Sequence, residues 1–443
     1  MQGSIPGMLN EAKSMSESRG AALFSIGNYQ TAAEIGRPDE WQTHAALGLL
    51  GVTDAGIRGL DRFDHEEARF YSAVASWIAG DDSAAERGLE KVNTHHAQNL
   101  LALMRLPRIN VLTQILDTKT GFWGLVDGIR KDPRFLVGTI PSVPGADVHD
   151  YYSSGCVPHF YISAQAEWHH IPSNIRQLPC PIFAQTGDPD IHVQIITPWL
   201  RLFDEIITTA HDEWDDARRI SKVPTSVFPK LFSLYVPQLH LDPFTPRTYD
   251  VTMTGAWFHP YQTEKARILH QLYRIKGINL FTHDGYLDTA SYVRLMAKTK
   301  IIVSFSRYTG CLPSRGLESL SMGCATIIPK GNVWKFFVGE EDGVFEYDPY
   351  GDDLPETVNR ILGDWDAIRD RVRLGSAKVR RDFNRKRVAG QYMRYLAFLA
   401  AKPRQRSRPP QPIPPQKRLI YWRGGFQGDF ETCEARRLQL AKN

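Results

Sequence analysis

From Ile109 to Tyr347 short apolar runs alternate with helix-length stretches, and this alternation constrains the fold more than any other feature. The first runs are Ile109–Ile115, Phe135–Thr139, His159–Ile162, Pro181–Gln185, Glu205–Thr208 and Ser226–Phe228. Runs that lack an inside–outside alternation suit strands buried on both faces. Strands in turn with helices imply a parallel sheet covered by helices. Pro237, Pro243 and Pro246 crowd together and break the series. A second series follows: Asp250–Thr254, Ile278–Phe281, Ile301–Phe305, Ala325–Ile328 and Val344–Tyr347. Helices are expected over residues 263–273, 289–298, 315–322 and 354–362, with long closing helices over 365–401. The chain of 443 residues has room for two or three domains. The expected fold class is α/β, with two tandem Rossmann-like domains.

The N-terminal part differs in texture. Gly51, Gly59 and Leu60 recur as Gly80, Gly88 and Leu89, a shift of about 29 residues. Small residues let paired helices approach closely, so stacked helical hairpins are expected over residues 20–95. The pattern is similar to tetratricopeptide repeats. A plain helical bundle is the other reading. At the far end, Lys402-Pro403-Arg404-Gln405-Arg406-Ser407-Arg408 runs into Pro409, Pro410, Pro412, Pro414 and Pro415. Repeated Pro fixes φ and removes donors, so this segment is neither helix nor central strand. The expected domains are therefore 1–106 (helical repeat), 107–246 and 247–401 (Rossmann-like), and 402–443 (basic Pro-rich linker and tail).

Composition narrows the classes. At 42% apolar the chain is no disordered protein. No apolar run reaches about 18 residues, so no membrane span is expected, and Met1–Pro6 does not open a secretory signal. Five Cys without a CxxC pair point to a reducing compartment, read as cytoplasmic. A formal charge of +4 is too small to indicate a nucleic-acid partner.

The most informative segment runs from Ser304 to Pro329. It reads strand, small-residue loop, helix, Gly stop, strand. The helix start near Ser314 offers free N–H groups and a dipole to a phosphate. Arg315 and Glu318 are three apart and share a face. An Arg presents a planar fork to phosphate, and a carboxylate accepts from both hydroxyls of a ribose diol. An ordinary solvated i,i+3 ion pair is the other reading. Its place after a strand in the second Rossmann half, where open α/β sheets bind ligands, favours the ligand.

The Arg-x-x-Glu helix followed by Gly323-Cys324-Ala325-Thr326-Ile327-Ile328-Pro329 resembles the second-domain signature of GT-B glycosyltransferases. The similarity is greatest to the group-1-like branch that includes the spore-maturation CgeB-type proteins. The resemblance covers about residues 108–395, and its specific part is residues 300–330. It implies a glycosyltransferase that uses a nucleotide-diphosphate sugar as donor substrate, with no cofactor and no bound metal. Glu318 matches the second of two Glu residues in the broader group, the one that binds the donor ribose. The place of the first is taken by Gly310, a departure from the usual donor-sugar contact that the CgeB-like branch shares.

Other candidates follow from position. The turn from Gly255 to Pro260 closes a strand of the second domain. Lys265 and Arg267 suit either a diphosphate or an exposed helix face. His283 and Tyr286 follow another strand and suit a nucleobase wall. In the first half Asp188 is the candidate general base or acceptor contact, or simply an Asp-Pro turn former. Gly121 and Gly124 permit close approach near donor phosphates or acceptor. His211–Asp216, which invites a metal reading, suits the acidic first turn of a helix instead, and His169-His170 suits a polar loop. A helical repeat arm suits a protein or peptide acceptor. The alternative is a non-catalytic binding scaffold on a degenerate GT-B fold.

Overall fold

A computed structural model describes residues 18–115, 132–152, 156–187, 193–229, 243–255, 263–305, 310–311, 314–403 and 427–428. Two compact units emerge: Met1–Ser233 with Arg385–Leu419, and Leu234–Asn384 with Ile420–Asn443.

Among the described residues the first unit begins with seven helices: α1 (Arg19–Ser25), α2 (Tyr29–Ile35), α3 (Trp41–Leu49), α4 (Thr53–Leu60), α5 (Glu66–Ala79), α6 (Asp82–Leu89) and α7 (His95–Met104). Ser18, Asn28, Asp81 and Thr94 cap helix starts by accepting a backbone N–H two or three residues on, which satisfies an otherwise orphaned donor. Gly51 and Gly80 turn the chain between paired helices at φ 86° and 94°, a region costly for a residue with a Cβ. The repeat seen in the sequence has a packing basis. A Cβ on Gly59 would meet the His44 ring at 2.1 Å, and one on Gly88 would meet Ala73 Cβ at 2.7 Å. Glycine thus lets α4 and α6 sit close against α3 and α5.

Behind this arm lie strands β1 (Ile109–Ile115), β2 (Phe135–Pro141), β3 (Phe160–Ala164), β4 (Ile182–Gln185), β5 (Glu205–Thr208) and β6 (Thr225–Val227). They pair in parallel in the order β2-β1-β3-β4-β5-β6. Helices α8 (Val193–Leu200) and α9 (His211–Ser221) connect the later strands. The acidic start of α9 is structural: the buried Glu213 carboxylate accepts from the Thr209 N–H and hydroxyl, each at 2.6 Å. His169, expected in a polar loop, is buried, and the His170 carbonyl accepts from Gln114 Nε2 at 2.5 Å. His170 itself is half-buried, and the bond from Gln114 ties the loop to the end of β1.

The second unit carries β7 (Tyr249–Thr254), α10 (Thr263–Tyr273), β8 (Leu280–His283), β9 (Tyr286–Leu287), α11 (Thr289–Ala297) and β10 (Thr299–Val303). Then come α12 (Ser314–Ser321), β11 (Ala325–Pro329), β12 (Val344–Tyr347), α13 (Leu354–Gly363) and α14 (Trp365–Asp382). The sheet is parallel, in the order β12-β11-β10-β7-β8. Ile301, Ile302, Val303, Ile327 and Ile328 are buried, as expected of central strands covered on both faces. A two-residue strand, β13 (Gln427–Gly428), pairs in parallel with β9.

Helix α15 (Arg385–Ala400) belongs by its contacts to the first unit, whereas the sequence reading keeps it with the second half. The reason is visible in its partners. The Arg394 carbonyl accepts from Trp77 Nε1 at 2.9 Å, and the Ala401 carbonyl from Asn99 Nδ2 at 3.0 Å. Arg394 also pairs with Asp132 at 2.9 Å, and Tyr395 stacks on Phe228 with ring centroids 4.8 Å apart. The arm, the first sheet and α15 therefore share one core. Among the described residues no helix is long and apolar enough to cross a membrane.

Candidate functional site

In the second sheet the chain starts at β7, passes outward to β8, then crosses to β10 on the other side of β7. The connections above β7 and β10 thus diverge, which leaves a crevice at their carboxyl ends. Gly255 follows the last residue of β7. It adopts φ +113°, and a Cβ there would meet the Arg315 guanidinium at 2.7 Å. Two residues singled out separately in the sequence, 60 positions apart, are therefore in contact. Arg315 lies in the first turn of α12 and reaches across the switch point. The turn is fixed on its other side, since the Gly255 N–H donates to the His283 carbonyl at 3.2 Å. That bond places the end of β8 beside the same crevice.

Glu318 is one turn further along α12 and buried. Burial pushes its pKa above the usual carboxylate range, while the Tyr292 hydroxyl and the Arg315 guanidinium act in the opposite direction. A carboxylate held out of water beside a cation and a hydroxyl is a strong, oriented acceptor. Tyr292, on α11, was not singled out in the sequence, because a Tyr on an amphipathic helix reads as core. Its phenol is pushed well above its ordinary value, chiefly by burial and then by the Glu318 charge.

Helix α12 is firmly seated. A Cβ on Gly316 would meet the Trp334 ring at 3.0 Å, so glycine allows the helix to lie against that indole. Ser319 Oγ donates to the Arg315 carbonyl at 2.8 Å. The opposite end is gripped by Arg247, whose guanidinium donates to the carbonyls of Met322 and Gly323, both at 3.2 Å. The same group donates to Met296 and Thr299 carbonyls at 2.8 and 2.9 Å. One cation thus caps the carboxyl ends of both α11 and α12, where the helix dipoles favour it. A lone Arg after a Pro-rich break gave no such signal in the sequence.

The remaining candidates divide. Lys265 on α10 is buried, with Nζ 6.0 Å from the centre of the Phe305 ring; Phe305 lies just beyond β10. It is not an exposed helix charge. Arg267 is engaged elsewhere: it donates to the Gly351 carbonyl at 2.9 Å and pairs with Asp352 at 3.1 Å. Ser314 opens α12. Gly310 is buried, and its carbonyl accepts from the Val333 N–H at 3.2 Å. Tyr286 lies in β9, beyond β8. Asp188, Gly121, Gly124 and the turn from Ala256 to Pro260 lie outside the described residues.

A family model described as glycosyl transferase-like matches residues 238–394. No curated protein matches the chain. Among solved structures, sucrose-phosphate synthase from Thermosynechococcus elongatus is similar at 14% identity and TM-score 0.43, covering 65% of this chain and 99% of that one. A Thermobaculum terrenum O-GlcNAc transferase mutant is similar at 13% identity and TM-score 0.43, covering 86% and 90%. Anabaena HepE in complex with UDP and glucose matches at 12% identity and TM-score 0.43, covering 65% and 99%. Residues 238–394, which run through the second sheet into α15, are thus similar in sequence to glycosyl transferase-like proteins.

Proposed function

We propose that the protein is a glycosyltransferase that takes a sugar from a nucleotide-diphosphate donor. The observation that carries this reading is the contact of Arg315 with Gly255 at the switch point, with Glu318 one turn behind it, inside the glycosyl transferase-like stretch. Glu318 accepts from the ribose hydroxyls. Arg315 and the N–H groups at the start of α12 meet the diphosphate, and Lys265 adds a buried cation. As the glycosidic bond to the donor breaks, negative charge grows on the leaving diphosphate, and fixed donors stabilise it without reorganisation. Because protein cations meet that charge, turnover is expected to persist in a chelator. His283 and Tyr286, at and beyond the end of β8, are assigned to the base.

The acceptor side falls to the first unit, with the tetratricopeptide-like arm as the surface for a protein or peptide acceptor. Since the arm shares its core with the sheet and α15, removing it would unfold the unit. Charge reversals on the arm's exposed face are the cleaner test, and they should lower protein glycosylation while sparing donor hydrolysis.

The decisive experiment is calorimetry with a panel of nucleoside diphosphates. Binding of at least one is expected, and Glu318→Ala should weaken it by about 1–3 kcal/mol through loss of a buried hydrogen bond. Unchanged affinity in a folded variant removes Glu318 from the site. The second reading, a binding scaffold, is favoured by Gly310, where the broader group has a Glu. Failure of every nucleotide to bind would support it.

A further inference from the structure

At the amino ends of β5 and β6, wholly within the first unit, lies a cavity of about 450 Å³. It is of ordinary size for a small-molecule site. Its apolar wall comes from Ile26 at the α1–α2 turn and from Val223 and Pro224 before β6. Its polar side is dominated by cations: Arg218, Lys222 and Lys402 face a single carboxylate, Glu205.

The walls are fixed. A Cβ on Gly27 would meet the Thr225 carbonyl oxygen at 2.4 Å, and the Val227 N–H donates to the Gly27 carbonyl at 3.2 Å. Two of the three cations are held by partners. Lys402 Nζ donates to both Glu205 oxygens, at 3.0 and 3.1 Å, so those two neutralise each other. Arg218 lies 5.2 Å over the Trp214 ring and donates to the Ile26 carbonyl at 3.2 Å. Lys222 is held at φ +61°, a left-handed conformation that favours glycine at a helix end and is uncommon for lysine. No ion pair engages Arg218 or Lys222 among the described residues. Two cations beside an apolar wall are left without a counter-charge.

We infer that this cavity binds a small organic anion, a carboxylate or phosphate monoester on an apolar body, with its charged end on Arg218 and Lys222. The site lies apart from the residues assigned to the nucleotide and does not rest on that assignment.

The test uses the full chain and four probes: phenyl phosphate, benzoate and neutral benzyl alcohol, which share a phenyl ring, and inorganic phosphate, which lacks one. Calorimetry should show saturable binding of at least one anion and none of the alcohol. The anion that binds more tightly distinguishes phosphate from carboxylate. Lys222→Gly removes the cation and relieves the left-handed backbone, so the variant should fold. It should weaken anion binding about tenfold, the effect of losing one charge-assisted contact, and Arg218→Gln should do the same. Nucleoside diphosphate affinity should not move in either variant. Absence of saturable binding by both anions, equal binding of the alcohol, or unchanged affinity in both variants would overturn the assignment. Inorganic phosphate binding as tightly as phenyl phosphate would overturn its apolar half.

Discussion

The two sheets are wound alike yet filled differently. Each begins with an inner strand, adds its second strand on one side, and then crosses to the other, so that the connections diverge beside β1 in one and β7 in the other. At the first of these points the described polar side chains are neutral and paired with one another. Gln114 Oε1 accepts from the Tyr161 hydroxyl at 2.8 Å and from Ser163 Oγ at 3.0 Å. At the second, charged groups stand in the crevice: Arg315 against the bare backbone of Gly255, and buried Glu318 beside it. Topology supplies a crevice in both units. A mutually satisfied amide network has little left for a ligand, whereas a buried carboxylate with a raised pKa is held at a cost that a bound diol offsets.

The largest expected effect separates how the two points are supported. Arg247→Ala removes the donor shared by four carbonyls at the ends of α11 and α12. Loss of charged hydrogen bonds of this kind should cost roughly 3 kcal/mol. Calorimetric melting should show the second unit's transition falling while the first unit's stays in place. A single transition that shifts as a whole would show that the units unfold together.

On the first sheet the matching change is Gln114→Leu. It strands the Tyr161 and Ser163 hydroxyls and should cost about 1–3 kcal/mol. Nucleotide affinity should be unmoved. If affinity fell as steeply as in Glu318→Ala, the neutral point would be part of the donor site and the contrast between the sheets would fail.

Glu318→Gln sharpens the contrast through pH. The folded-state pKa of Glu318 is raised, chiefly by burial. Its contribution to stability is therefore fully present below the ordinary carboxylate range and is lost as pH rises through the folded value. Above that value the charged side chain is a net cost. The Gln variant should melt no lower than the parent at neutral pH, and its melting temperature should fall less between acid and neutral pH. If Glu318 is the charged acceptor for the nucleotide, as proposed, binding should strengthen with pH in the parent and lose that dependence in the variant.

Much of this was legible along the chain, for reasons that also mark where legibility stopped. Strand β1 and helix α10 fall where the residue pattern puts them, because Ile and Val runs buried on both faces and amphipathic spacing are local signals. The Arg315–Glu318 pair was readable as a shared helix face. Its contact with Gly255 was not, because it depends on which strand neighbours which. The same holds for α15. Its apolar residues Tyr392, Tyr395, Leu396 and Phe398 announce burial, but nothing in their spacing says that the arm and the first sheet bury them. Arg247 and Tyr292 were missed because each acts on residues distant in the chain.

The smallest effect concerns the arm, where the sequence repeat was the clearest signal. Gly80 ends α5 at φ +94°, and a Cβ there would meet nothing within 4 Å. Gly80→Ala therefore isolates backbone conformation from packing and should cost about 1 kcal/mol. Gly88→Ala, in the same repeat unit, would instead press on Ala73 Cβ at 2.7 Å while keeping helical backbone. If the repeat exists to turn the chain, the first variant melts lower; if it exists to bring helices together, the second does. Chemical denaturation of both against the parent decides the order. Neither should alter nucleotide affinity, since each lies in the first unit, apart from Arg315 and Glu318.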